Sequence, residues 1–203
     1  MFVMKLKVTG KKMVHLALIL GLVGIVGAGW KLTARTSYES ADYSVVESDG
    51  PFEVRQYPDL MLVTTPISSQ GSDSSFGRLF RYISGENVDQ RNVAMTTPVF
   101  MEPEGQGFDG QMGFVVPKKV SAEGIPAPVI KTVRIQQRGG GRFAVIRFSG
   151  RMDANAVAEH ERQLRTWIDG KRLSGKGAVE FAGYDPPWTP NPFRRNEILI
   201  RLQ

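Results

Sequence analysis

Residues 142–170 read RFAVIRFSGRMDANAVAEHERQLRTWIDG, and this stretch holds both kinds of element from which the chain is built. In Arg142–Phe148 the two alternating sets, Phe143, Val145 and Arg147 against Ala144, Ile146 and Phe148, are both largely apolar. Successive strand side chains point to opposite faces, so this strand is buried on much of both. Asp153 then offers a carboxylate to the free N–H groups of a first helical turn. At 100° per residue Ala156, Val157, Leu164, Trp167 and Ile168 cluster within about 120°, the apolar arc of an amphipathic helix running to about Gly170.

The same order recurs on either side. Tyr43–Glu47 and Phe52–Tyr57 read as short strands parted by the turn Asp49-Gly50-Pro51, and Leu60–Ile67 as a third. Ser72–Ile83 reads as a helix capped by Ser72 or Asp73, with Phe76, Leu79, Phe80 and Ile83 at i, i+3, i+4 and i+7. Arg78 and Arg81 project from the opposite side, a solvated basic face or one that meets an anionic group. Val93–Met101 and Gln111–Val116 are strands joined by a Gly-rich loop, Glu102 to Gly110. Lys131–Gln137 and Arg142–Phe148 form a hairpin around Gly139-Gly140-Gly141, and Ala178–Tyr184 and Asn196–Leu202 follow the second helix. Each half is two strands, a helix and two strands, with one extra strand in front. The repeat is one of element order and not of residues. Duplicated units of this kind close into one sheet with both helices outside, an α+β architecture in which hairpins outnumber crossovers.

The 203 residues suit one domain, and 41% hydrophobic with 23% charged residues is an ordinary globular composition. Cysteine is absent, which excludes disulfides, thiol catalysis and Cys-ligated metals, and two histidines, His15 and His160, cannot build a multi-His centre. Residues 1–40 hold six of the 26 basic residues and one of the 20 acids, so the net charge of +6 belongs mostly to the leader. The nearly balanced body offers no basic face for nucleic acid.

Lys5, Lys7, Lys11 and Lys12 precede an apolar run, Met13 to Trp30, with no Asp, Glu, Lys or Arg. As a helix it spans about 27 Å, close to a bilayer core. Residues 1–31 therefore read as an N-terminal hydrophobic helix, with its lysines on the inner side. Beside the plain alternative of a buried soluble helix, the two main readings are a signal-anchor and a signal peptide cleaved near Val26-Gly27-Ala28. Both readings place the body outside the cytoplasm. Residues 32–42 read as a linker and residues 43–203 as the globular domain.

A Walker loop, HExxH and GxSxG are absent, and the GxGxxG match Gly105–Gly110 lies in a loop that joins two strands, with no helix start after it. Several segments instead carry a resemblance. They are Glu53-Val54-Arg55-Gln56-Tyr57 after Tyr43, Met95-Thr96-Thr97-Pro98-Val99, Phe114-Val115-Val116-Pro117, Pro126-Ala127-Pro128, Gln163-Leu164-Arg165, and Ala182-Gly183-Tyr184-Asp185-Pro186-Pro187 followed by Arg194-Arg195-Asn196-Glu197. In this order, over roughly residues 43–202, the chain resembles the SOUL haem-binding protein family. The resemblance implies a distorted β-barrel of duplicated β-β-α-β-β units flanked by two helices. It also implies reversible binding of haem or another tetrapyrrole, without turnover, at a shallow apolar cleft along the first helix and the C-terminal Pro-rich loop. Carried over by position, Phe76 is an apolar contact beside Phe80, Arg81 a propionate partner with Arg78 as a second cation, and Trp188 a cover for the ring. Two departures stand out. Residues 43–71 contain no His to serve as an upstream axial ligand, and Gly77 falls where relatives carry bulkier residues. His160, inside the apolar arc of the second helix, is most simply a core residue bonded to a backbone carbonyl or Tyr; its alternatives are an axial ligand or a general base.

The function expected from the sequence is a membrane-tethered or exported tetrapyrrole-binding protein that is not an enzyme. Two alternatives remain: a module binding bulky hydrophobic small molecules, and a hydrolase using Glu180 or Glu197 inside the cleft.

Overall fold

Strand β9, Gly141–Ser149, lies at the middle of the fold, in a computed structural model that describes residues 38–67, 74–103, 110–175, 177–186 and 188–203. Phe143, Ala144, Val145 and Ile146 are each no more than 1% exposed. Ala144 and Ile146 pack with Leu164 and Ile168 of helix α3, Ala154–Gly170. Phe143 and Val145 face the other way, into a cluster with Tyr57, Phe100 and Leu199. The doubly apolar pattern of this strand thus reports two cores, one under a helix and one inside the curl of the sheet.

The strands before β9 are β1 (Glu39–Ser40), β2 (Ser44–Asp49), β3 (Phe52–Tyr57), β4 (Leu60–Pro66), β5 (Thr96–Thr97), β6 (Val99–Glu102), β7 (Gln111–Val115) and β8 (Arg134–Arg138); β10 (Val179–Gly183) and β11 (Arg195–Arg201) follow α3. Helix α1 is Ser75–Ile83 and α2 is Lys118–Glu123. Nine strands form one curled antiparallel sheet, a half-barrel in the order β2-β3-β9-β11-β10-β6-β7-β4-β8, while β1 and β5 make a small parallel pair.

The duplication is visible in the pairings. In the first half β4 and β6 both pair with β7, and α1 covers them; in the second β9 and β10 both pair with β11, under α3. The halves join through β6 and β10. They also join through a bent ladder. Strand β3 pairs with β9 as far as Tyr57 opposite Gly141, and β4 pairs with β8 from Leu60 opposite Arg138. Two residues, Pro58 and Asp59, separate these ladders on one side and two, Gly139 and Gly140, on the other, so the register is unbroken around the corner. Asp59 fastens it, accepting from the Gly140 N–H at 2.6 Å and from Gln137 Nε2 at 2.7 Å.

This corner corrects one expectation. The strands around Gly139–Gly141 are not a hairpin, because β8 turns away to the edge beside β4. Helix α2, between Pro117 and Gly124, has no counterpart in the sequence reading; it has no buried residue, hence no apolar stripe to find. The expected strand Val93–Met101 is split by Pro98, which has no N–H to give a ladder. Part of the stretch read as a linker is built into the domain: Ser40 bonds Thr97 side chain to side chain at 2.9 Å, and Ala41 is buried. Helix α1 is capped by Ser74, whose hydroxyl accepts from the Gly77 N–H at 3.2 Å; Ser72 and Asp73 lie outside the described residues. The apolar run 13–30 lies outside them too. Among the described residues no helix is long and apolar enough to cross a membrane.

The corner is testable. A Cβ on Gly140 would stand 2.6 Å from the Tyr57 carbonyl oxygen and 2.7 Å from the Pro58 carbonyl carbon, whereas one on Gly139 would meet only Arg201 Nη2 at 4.0 Å. Gly140→Ala is expected to lower unfolding free energy by about 1–3 kcal/mol, with Gly139→Ala clearly milder, both read by urea denaturation. Equal effects would contradict the close approach.

Candidate functional site

The family-like segments converge on one buried group of side chains. Arg55 of β3 donates from Nη1 and Nη2 to the two carboxylate oxygens of Glu197 on β11, at 2.7 and 2.9 Å. Its Nε donates to Glu53 at 2.7 Å, and Nη1 reaches the Tyr57 hydroxyl at 3.1 Å. Glu197 also accepts from the Tyr184 hydroxyl at 2.8 Å and from Arg195 Nε at 3.0 Å. The Tyr43 ring lies under the Arg55 guanidinium at 4.2 Å. Arg55 and Glu197 have no exposed surface. Burial alone would raise the Glu197 carboxyl; hydrogen bonds and charge from Arg55, then Arg195, outweigh it and hold the group below the usual carboxylate range. Burial, partly offset by Arg55, pushes the Tyr57 phenol up to about 12. Glu197 is thus an ionised, fully bonded carboxylate with no proton to give.

Tyr184 ends this network and begins a cleft. Its hydroxyl holds Glu197, while its residue lines an open space of about 510 Å³ with Phe76 and Phe80 of α1, Met95, Val99, Pro186 and Trp188. Tyr38, Thr97, Gly183 and Asp185 complete the lining. Phe76 and Phe80, one turn apart, stack at 6.1 Å with 13° between their planes, and Phe114 meets Phe76 edge-on at 5.4 Å. The helical stripe therefore divides: Leu79, Tyr82 and Ile83 enter the core, while Phe80, 52% exposed, stands at the cleft. Trp188, 69% exposed, faces the same space from the loop after β10. Asp185 accepts from the Arg195 N–H at 2.6 Å, which ties this loop to β11.

Of the residues nominated from sequence, Phe76, Phe80 and Trp188 come together at this cleft. Arg78 does not. Expected on an outward basic face, it is buried, with Nε donating to Thr65 at 2.9 Å and Nη2 to the Pro66 carbonyl at 2.6 Å, so it clamps α1 to the end of β4. Arg81 is exposed and ion-paired with Glu86 at 3.0 Å. His160 is on α3, half-buried, stacked on Phe148 at 4.0 Å and near Gln163 Oε1 at 3.4 Å, and is not among the cleft's lining residues. Glu180 and Glu197 are not lining residues either; Asp185 is the acid that is, among the described residues. Sequence reading missed Met95, Val99 and Tyr184 as cleft residues although they sit in the segments that carry the resemblance. It missed Tyr38 because that residue precedes the expected domain.

Fold and cleft together define a duplicated α+β half-barrel with an open apolar site between its first helix and a Pro-rich loop. The chain belongs to the SOUL heme-binding protein family, whose sequence model matches residues 38–201. It is 28% identical over 162 residues to heme-binding protein 1 of Xenopus tropicalis, covering 75% of this chain and 84% of that one. Heme-binding protein 2 of Homo sapiens is 28% identical over 171 residues, 76% of this chain and 82% of that protein. Among solved structures, the C-terminal domain of EcmrR aligns with a TM-score of 0.54 at 12% identity over 79% of this chain and 98% of that one. A hydrolase from Listeria innocua aligns with a TM-score of 0.54 at 8% identity over 78% of this chain and 94% of that one. At such identities these two show the shared fold alone.

Because the Glu197 carboxyl is held low, its contribution to stability is complete above the unfolded carboxylate range, near pH 4–5. It is lost as the pH falls through the lower native value. Glu197→Leu leaves Arg55 buried without this partner, and a loss of about 3–5 kcal/mol is expected at neutral pH. The double change Arg55→Met with Glu197→Leu should recover part of it. A near-neutral single variant in urea denaturation would contradict the network's role.

Proposed function

We propose that this protein binds haem or a related tetrapyrrole reversibly in the cleft between α1 and the loop after β10, without turnover. The observation that carries the reading is the wall formed by Phe76, Phe80, Tyr184 and Trp188, apolar and open along one side, in a chain of the SOUL family. A macrocycle is a flat apolar surface with carboxylates at one edge, so it needs such a wall and a cation at the rim. Arg81 follows Phe80 and is exposed, and exchanging its partner Glu86 for a propionate is the role assigned to it here. No described histidine is among the lining residues, so this binding rests on the macrocycle's face and not on a His–iron bond. Binding through the face and the propionates fits carriage or buffering better than redox chemistry, which depends on defined axial ligands. The ionised, locked Glu197 gives no support to hydrolysis. The lysine-flanked apolar run 13–30 supports a tethered or exported protein with its C-terminal domain outside the cytoplasm.

The test is titration of the full chain with ferric haem and with iron-free protoporphyrin, followed at the Soret band. Saturable one-to-one binding of both is expected, with Trp188→Ala and Phe76→Ala each weakening it about tenfold, equivalent to ~1.4 kcal/mol. Arg81→Ala should weaken it less, and His160→Ala not at all. Absence of saturable binding to either ligand, or haem-only binding lost in His160→Ala, would overturn the proposal.

A further inference from the structure

The concave side of the half-barrel holds a second arginine whose surroundings differ from those of Arg55 in one respect. Arg138 ends β8, the strand that in the other half corresponds to β3, and its side chain is 4% exposed. The guanidinium lies over the rings of Phe143, Phe100 and Tyr57, at 4.4, 4.5 and 5.0 Å. Its Nε donates to Glu180 at 2.7 Å, and Nη2 is at the same distance from the same oxygen. Nη1 and Nη2 are both buried and neither has a hydrogen-bond partner.

Arg55 satisfies both edges of its guanidinium with carboxylates, Glu53 at Nε and Glu197 at the two terminal nitrogens. Arg138 has one carboxylate, at Nε. By register Arg138 stands where Tyr57 stands in the other half, and the places of Arg55 and Glu197 are taken by the uncharged Gln136 of β8 and Gln111 of β7. Beside the guanidinium is a small pocket open to solvent, about 70 Å³ in volume, lined by Arg138, Thr64, Gln111, Gly113 and Gln136, with Glu102 among its walls. A Cβ on Gly113 would press on Leu62 and Thr64 at 3.2 Å, so a side chain there would crowd the space. A buried N–H donor without an acceptor costs free energy, and a planar guanidinium edge fits a carboxylate.

We infer that this cavity is a second binding site, distinct from the aromatic cleft, and that it takes a small carboxylate. The ligand's oxygens accept from Nη1 of Arg138. Among the described residues the charged groups that line the site are Arg138 and Glu102 on β6, and Glu180 on β10 pairs with Arg138. Burial, then the charge of Glu180, raises the Glu102 carboxyl, while Arg138 lowers it. Protonated Glu102 no longer repels an anion and can donate to it, so binding strengthens as the pH falls.

The experiment is calorimetric titration of the full-length chain with acetate and with benzoate, in carboxylate-free buffer near pH 6 and near pH 8, where both ligands stay ionised. Saturable binding, tighter at the lower pH, is expected. Glu102→Gln should keep the binding and flatten its pH dependence. Arg138→Lys keeps a cation for Glu180 but has no second terminal nitrogen, and it should weaken binding about tenfold or more. The wild-type Arg138 side-chain N–H resonances, followed by NMR, should shift with saturation, a readout that needs no variant to fold. No saturation with either acid, unmoved Arg138 resonances, or undiminished binding in Arg138→Lys would overturn the site and leave the cavity to water.

Discussion

Burying a guanidinium and a carboxylate together is costly unless both are fully bonded, and the Arg55–Glu197 pair meets that condition with Glu53, Tyr57, Tyr184 and Arg195 around it. The pair joins β3 to β11, the two neighbours of β9, across the concave face of the sheet. A strand's side chains alternate between faces, so a slip of one residue in either strand would turn Arg55 or Glu197 toward the α3 side and leave its partner unpaired. The network therefore acts as a register lock. Through Tyr184, and through the Arg195 N–H bond to Asp185, it also fixes the loop that bears Trp188. The cleft inherits its geometry from charges that no ligand in it touches.

The curl depends on a second constraint, the corner where β3 passes into β4 and β8 into β9. Pro58-Asp59 and Gly139-Gly140 bend one continuous ladder without losing a residue of register. The approach of Gly140 to the Tyr57 carbonyl leaves no room for a side chain. Two equivalent half-units are thereby folded over a shared interior. That interior is polar as well as apolar, with one arginine fully met by the chain's own carboxylates and one met on a single edge.

Much of this was legible in the sequence. The order of strands and two main helices followed from periodicity in Arg142–Phe148 and in the two amphipathic arcs, and Asp153 caps its helix as read, accepting from the Ala156 N–H at 3.1 Å. Pairing was not legible, because Gly139–Gly141 looks the same in a hairpin and in a bent ladder; only the partner strand distinguishes them. Helix α2 was hidden because it is short and only Val120 packs against the core, which leaves no apolar stripe to read. At the site, Phe76, Phe80 and Trp188 were nominated through the family resemblance, helix spacing by itself giving only an apolar stripe, and the two arginines of α1 were not separable. Arg78 turns inward because Thr65 and the Pro66 carbonyl wait there, which is a tertiary fact. His160 sits within the apolar arc, yet on the outer helix rather than at the cleft.

On the proposed reading the tetrapyrrole lies on the aromatic wall of α1 and the loop after β10, while the buried charges hold that wall in shape. Residue-resolved NMR of the full chain with iron-free protoporphyrin tests this most directly, because the ligand's ring current marks the protons it covers. The account predicts the largest shifts at Phe76, Phe80, Met95 and Trp188, with His160 and Phe148 unmoved. Shifts centred on α3 around His160, or none at the cleft under saturating ligand, would contradict it.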